Sequence, residues 1–160
     1  MALYFGLEVE CGSKERATAV ALHFEGLPLV LADGLRLSCR SSPWQDIEGN
    51  WWAGAAPPGA SAGAPGGDLP ELCKATRMSE IGHLLYARLR TAPDFRYALA
   101  GVETSEFRYF SELDQDLVQL NFAGLVICDA VWHMLGGPDV FEPFREGYVW
   151  RPYAGEARDL

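Results

Sequence analysis

Several signatures of chemistry are missing from this chain. It contains no G-x-S-x-G, no G-x-x-x-x-G-K-[ST], no H-E-x-x-H and no G-x-G-x-x-G, so a nucleophile elbow, a P-loop, a zincin helix and a dinucleotide fingerprint are all unsupported. The glycine-rich tract at 54–67 lacks a following Lys-Ser/Thr and does not join a strand to a helix, which removes phosphate cradling. No run of about 18 apolar residues occurs, so no membrane span is expected. The opening MALYFGLEVE has no basic region followed by an apolar core, so no secretory signal is read there and a cytoplasmic protein is expected.

Positive charge is scarce as well. The net charge is −9, and among the 13 basic residues only Lys14 and Lys74 are lysines. Nucleic-acid binding is disfavoured, because neutralising phosphates needs a basic surface. An acidic protein is instead steered towards positive partners. The four cysteines (Cys11, Cys39, Cys73 and Cys128) are far apart and form no C-x-x-C pair. Reduced thiols are therefore expected, with no metal site built from them and His23, His83 or His133, and no cofactor. What remains is ordinary: 160 residues, 49% hydrophobic and 22% charged, enough for one globular domain with a sizeable core.

The most orderly stretch is Gly124–Phe144, GLVICDAVWHMLGGPDVFEPF. Leu125–Cys128 is a continuous apolar run suited to a strand covered on both faces. Asp129 can cap a helix carrying Val131, Trp132 and Leu135 on one side. Gly136, Gly137 and Pro138 then stop it, and Phe141, Pro143 and Phe144 begin an extended segment. An apolar strand, Cys-Asp, a short amphipathic helix and Phe-x-Pro in this order resembles the C-terminal part of immunity proteins of bacterial polymorphic-toxin systems. The resemblance implies a binding protein that neutralises a toxin, and it carries over no functional residue.

Elsewhere, residues 3–10 alternate as a half-buried strand, with Leu3, Phe5, Leu7 and Val9 on one face and Tyr4, Gly6, Glu8 and Glu10 on the other. Arg16–Phe24 reads as a second strand and Leu27–Cys39 as a third, split by the hairpin signal Asp33-Gly34. Residues 53–67 are an Ala/Gly/Pro tract expected to form a flexible loop. Leu72–Thr91 is helical, with Ser79 a possible cap and Ile81, Leu84, Leu85, Arg88 and Leu89 along one face. Tyr97–Glu103 is another strand, and 105–117 a helix with Phe107, Phe110, Leu113 and Leu117 buried. Gly147–Tyr153 is the final strand. These elements predict a single α+β domain: a mainly antiparallel sheet with two or three helices packed on it.

The candidate sites follow from charge and aromaticity. Residues 97–144 hold eight acidic residues and one basic, and Glu106, Glu112, Asp114 and Asp116 would line the outer face of the 105–117 helix. Such a face could dock on a basic protein, raising association rate and selectivity. Trp44, Trp51 and Trp52 are the other candidate contact surface, since Trp is enriched at binding hot spots. Two catalytic alternatives stand beside these. Cys128, Asp129 and His133 form the one tight trio of nucleophile, acid and base types, and Glu8, Glu10 and Glu103 would form an acidic group if their strands adjoin. The sequence thus favours an acidic protein that neutralises a protein partner, such as a toxin, by occluding its active site. A small hydrolase or transferase with an acidic or Cys/His pocket is the alternative, and an adaptor module a third.

Overall fold

The structure, a computed structural model, describes residues 3–63, 69–105, 107–114 and 122–160. Among them are ten strands and three α-helices in the order β1 (Leu3–Gly12), α1 (Lys14–Phe24), β2 (Pro28–Val30), β3 (Arg36–Ser38), β4 (Arg40–Gln45), β5 (Trp51–Ala56), β6 (Ser61–Ala62), α2 (Ala75–Leu89), β7 (Tyr97–Val102), β8 (Val126–Cys128), α3 (Asp129–Met134), β9 (Glu142–Arg145) and β10 (Tyr148–Trp150). One antiparallel sheet runs β4-β5-β1-β7-β8-β10-β9, with β6 also paired to β1. The hairpin β2–β3 stands apart from it, turned at Asp33-Gly34 as expected. This is the α+β architecture read from the sequence.

The alternation of β1 sets two cores. Phe5, Leu7 and Val9 are fully buried on one face, which meets the helices α1 and α2. On α2, Met78, Ile81, Leu85 and Leu89 are all at zero exposure, and each such side chain contributes about 1.5–3 kcal/mol by leaving water. The opposite face carries a second cluster built from Trp52, Tyr97, Leu99, Leu113, Leu125, Ile127, Val131 and Leu135.

Three expectations are corrected. Arg16–Phe24 is helix, not strand. Its buried residues Ala17, Val20, Ala21 and Phe24 repeat at helical spacing, and the Ser13 hydroxyl caps it by accepting from the Arg16 N–H at 3.3 Å. Residues 53–56 belong to β5, not to a loop, and Ala53 and Ala55 are buried. Their small size lets α1 lie close against the β4–β5 ribbon, and Pro57–Ala60 loop out before β6 resumes pairing with β1. The 105–117 helix is replaced, in the described part, by a single 3-10 turn at Phe110–Glu112. There the Tyr97 hydroxyl donates to the Arg108 carbonyl at 2.7 Å, and Phe107 meets Trp52 and Tyr97 edge-on. Aromatic packing on the sheet, rather than helical periodicity, sets that backbone.

Two helix ends also differ from expectation. Ser79 lies inside α2, its hydroxyl donating to the Ala75 carbonyl at 2.7 Å. Asp129 is the first residue of α3, and Cys128 stands at the cap position with no side-chain bond. The carbonyls at the end of α2 are held from far along the chain: one Arg145 nitrogen donates to Ala92 at 2.5 Å and to Leu89 and Arg90 at 3.3 Å.

Candidate functional site

Glu8 and Glu10 leave β1 on the face opposite Phe5, Leu7 and Val9. Register decides what each one meets. Glu10 lies between Trp52 on β5 and Tyr97 on β7, whereas Glu8 lies between Gly54 and Leu99, and Gly6 is paired with Gly101. One end of this face is therefore filled by aromatic rings and the other is left open by glycines.

At the filled end, Glu10 has no exposure, and Arg96 reaches it at 2.8 Å through both Nε and Nη2. A second Glu10 oxygen accepts the Gly12 N–H. Burial pushes the Glu10 carboxyl above the usual range, and Arg96 opposes that push. The Arg96 guanidinium lies 3.7 Å from the centre of the Phe110 ring and donates to Asn50 at 3.1 Å. Beside it, Asp46 accepts the Trp52 indole N–H at 2.7 Å.

At the open end the sheet floors a cavity of about 670 Å³. Gly6 and Gly54 lie at its base, Trp44 and Ser42 on β4 form one wall, the looped-out Pro57–Ala60 another, and Thr104 and Ser105 a third. Glu8 is half-buried there. It accepts the Trp44 indole N–H at 3.0 Å and the Ser105 hydroxyl at 3.4 Å. No cation lies within ion-pair distance of it among the described residues. Burial lifts its carboxyl to about 7, against the two hydrogen bonds, which pull the other way. The glycine opposite leaves the carboxylate its place, since a Cβ on Gly54 would lie 2.9 Å from a Glu8 oxygen and make it shift. At the rim, Glu25 and Arg40 pair with each other at 3.1 Å.

The acidic trio expected from sequence is thus divided rather than assembled. Glu10 is tied to Arg96, and Glu103, at φ 55°, accepts the Tyr4 N–H at 2.8 Å while its own N–H donates to the Tyr4 carbonyl. Only Glu8 faces the cavity. No hydrogen bond joins Cys128, Asp129 and His133, and the last two are exposed. Burial pushes the Cys11 and Cys39 thiols up to about 12, which keeps them protonated. His23 lies 3.1 Å from the Arg88 carbonyl, and His83 stands edge-on to Tyr153. Among the described residues, no three His, Cys, Asp or Glu side chains are grouped to hold a metal ion.

The tryptophans separate too. Trp52 is completely buried, so it is not a contact residue. Trp44 stacks on it at 5.3 Å, and Trp51 is half-buried beneath the Lys14 ammonium. Of the acidic candidates, Asp114 is exposed, and Glu112 is half-buried with its carboxylate accepting the Tyr109 N–H at 2.9 Å. Glu106 and Asp116 lie outside the described residues. A feature absent from the sequence reading adjoins the 107–114 segment. At the β4–β5 turn, Asp46 accepts the N–H groups of Glu48 and Asn50 at 2.9 Å, and this holds Ile47 out at 85% exposure. The neighbouring Glu48 carboxylate accepts the Ser111 hydroxyl, which ties the turn to the 107–114 segment.

Comparison with protein-family models, curated proteins and solved structures finds no match to this chain. Among the described residues, no helix is long and apolar enough to cross a membrane. The geometry of the chain itself has to carry any functional reading.

Proposed function

We propose that this is an acidic binding protein that neutralises a basic protein partner, as an immunity protein neutralises its cognate bacterial toxin, by covering the partner's active site. The observation that carries this reading is Ile47, 85% exposed at a hydrogen-bonded turn and fastened through Glu48 to the segment bearing Glu112 and Asp114. An exposed apolar anchor next to the exposed Glu48 suits a basic partner: the apolar side chain supplies buried area, and the charge supplies steering. Trp44 and Trp51 stand further along the same hairpin, and Glu106 and Asp116 extend the acidic segment in sequence.

The test starts from the intact protein and a partner identified by co-purification. Binding kinetics are then measured at two salt concentrations. Ile47→Ser should leave the melting temperature nearly unchanged, within about 0.5 kcal/mol of stability, and should weaken affinity by about tenfold through faster dissociation. The double reversal Glu48→Lys/Asp114→Lys should slow association and flatten its salt dependence. Unchanged kinetics in both variants would remove this turn from the interface.

A further inference from the structure

Glu8 and Glu10 share a strand and a face, but only Glu10 has a counter-charge. Arg96 sits against Glu10 at 2.8 Å, whereas Glu8 meets an indole N–H and a hydroxyl, both neutral, and otherwise opens into about 670 Å³ of space. That volume lies in the range of small-ligand pockets. The other charged residues around it, Glu25 and Arg40, are paired at the rim and nearly cancel. The remaining lining is apolar or uncharged: the Trp44 ring, Ala56, Pro57 and Pro58, with hydroxyls from Ser42 and Thr104.

We propose that this cavity binds a small organic cation, an ammonium or amidinium group on an aromatic or apolar body, with the positive group paired to the Glu8 carboxylate. The cation would do for Glu8 what Arg96 does for Glu10, and its apolar body would lie between Trp44 and the Ala56–Pro58 wall. Gly54 leaves the Glu8 carboxylate in this position, because a side chain there would push it aside. The overall charge of −9 concentrates cations around the protein before they enter. A ligand lacking the charge would leave the carboxyl without a counter-ion, and a bare metal ion would find one carboxylate rather than a cage. This inference is independent of the Ile47 turn, so either one can fail alone.

Isothermal titration of the full chain with benzylammonium, benzamidinium and neutral benzyl alcohol, each to about 10 mM, tests it. Both cations should bind at one site, at least about tenfold more tightly than the alcohol. Glu8→Gln should abolish that preference while keeping the far-UV circular dichroism and melting transition of a folded protein. Amide shifts on binding should centre on Ser42, Gly54 and Ser105. Because pairing with a cation favours the ionised carboxyl, binding at pH 6 should release a proton, visible as a dependence of the heat on buffer ionisation enthalpy. Equal binding of cations and alcohol, no binding by any probe, or full retention of cation binding by Glu8→Gln would overturn the proposal. Binding of N-acetyl-arginine amide alone would also overturn it, by assigning the cavity to a basic side chain of a protein rather than to a small molecule.

Discussion

Glu10 and Glu8 show what a sheet does with two carboxylates on one face when the neighbouring strands supply different residues. Around Glu10 the neighbours are Trp52 and Tyr97, and the gap between rings is closed by Arg96, itself covered by Phe110. Around Glu8 the cross-strand neighbours are Leu99 and Gly54, and the space a larger residue than glycine would fill stays empty. The first arrangement is a structural ion pair with its hydrogen bonds met. The second leaves a carboxyl that is desolvated without a counter-charge, which is a costly state to maintain for stability alone. Buried charge is therefore informative about function mainly where its partner is missing.

The sharpest way to break the comparison is to remove the partner that Glu10 has. Arg96→Met should cost about 3–5 kcal/mol in urea denaturation, because the Glu10 charge is left buried and unpaired. A loss below about 1 kcal/mol would mean that the two ends of the face are energetically alike.

The next effect concerns Glu8 and depends on pH. In the unfolded chain this carboxyl ionises in the ordinary range near 4.5, and in the fold at about 7. Below the lower value both states hold the proton. As the pH rises through the window between the two values, the unfolded state gives up its proton first, and folding stability falls. Glu8→Gln removes this dependence. Between about pH 4 and pH 8 the wild type should lose on the order of 2–3 kcal/mol relative to the variant. Parallel stability curves would show that Glu8 is paired after all.

The smallest effect sharpens the contrast at one bond. Trp44→Phe keeps most of the ring stacked on Trp52 and deletes the N–H donated to Glu8. It should destabilise the fold by about 1 kcal/mol and move the Glu8 titration, followed by carboxyl carbon shifts, higher still. An unmoved titration would mean that the indole contributes nothing to holding the charge.

Much of this frame was legible in advance, and the failures have identifiable causes. The period-two pattern of β1, the Asp33-Gly34 hairpin, the helical stripe of α2 and the Gly136-Gly137 stop all describe local chemistry, and all were readable. Arg16–Phe24 is helix where a strand was expected, and Ser13 and the spacing of Ala17, Val20, Ala21 and Phe24 are the signals of it. The alanines of β5 looked too small to pack, yet their size suits close contact with α1. The 105–117 segment followed a helical period, but in its described part the Arg108 carbonyl is held by the Tyr97 hydroxyl. The cavity was the least visible feature. Gly6 and Gly101 lie in segments read as strands, but Gly54 lies in the tract read as a loop, so nothing in the sequence joined the three. Only the pairing of β1 with both β5 and β7 sets them around Glu8.

The strand order also has a consequence for how the protein is made. β1 is synthesised before every strand it pairs with, yet it ends in the interior of the sheet, between β5 and β7. Both of its hydrogen-bonding sides stay open until residue 56 and then residue 102 have been synthesised. The last turn of α2 waits longer, for Arg145 to reach its carbonyls. Such late, long-range closure slows folding and exposes an apolar strand in the nascent chain. An arrest series during translation should therefore show protease resistance only after about residue 145 has cleared the exit tunnel, with the shorter chains depending on chaperones to stay in solution.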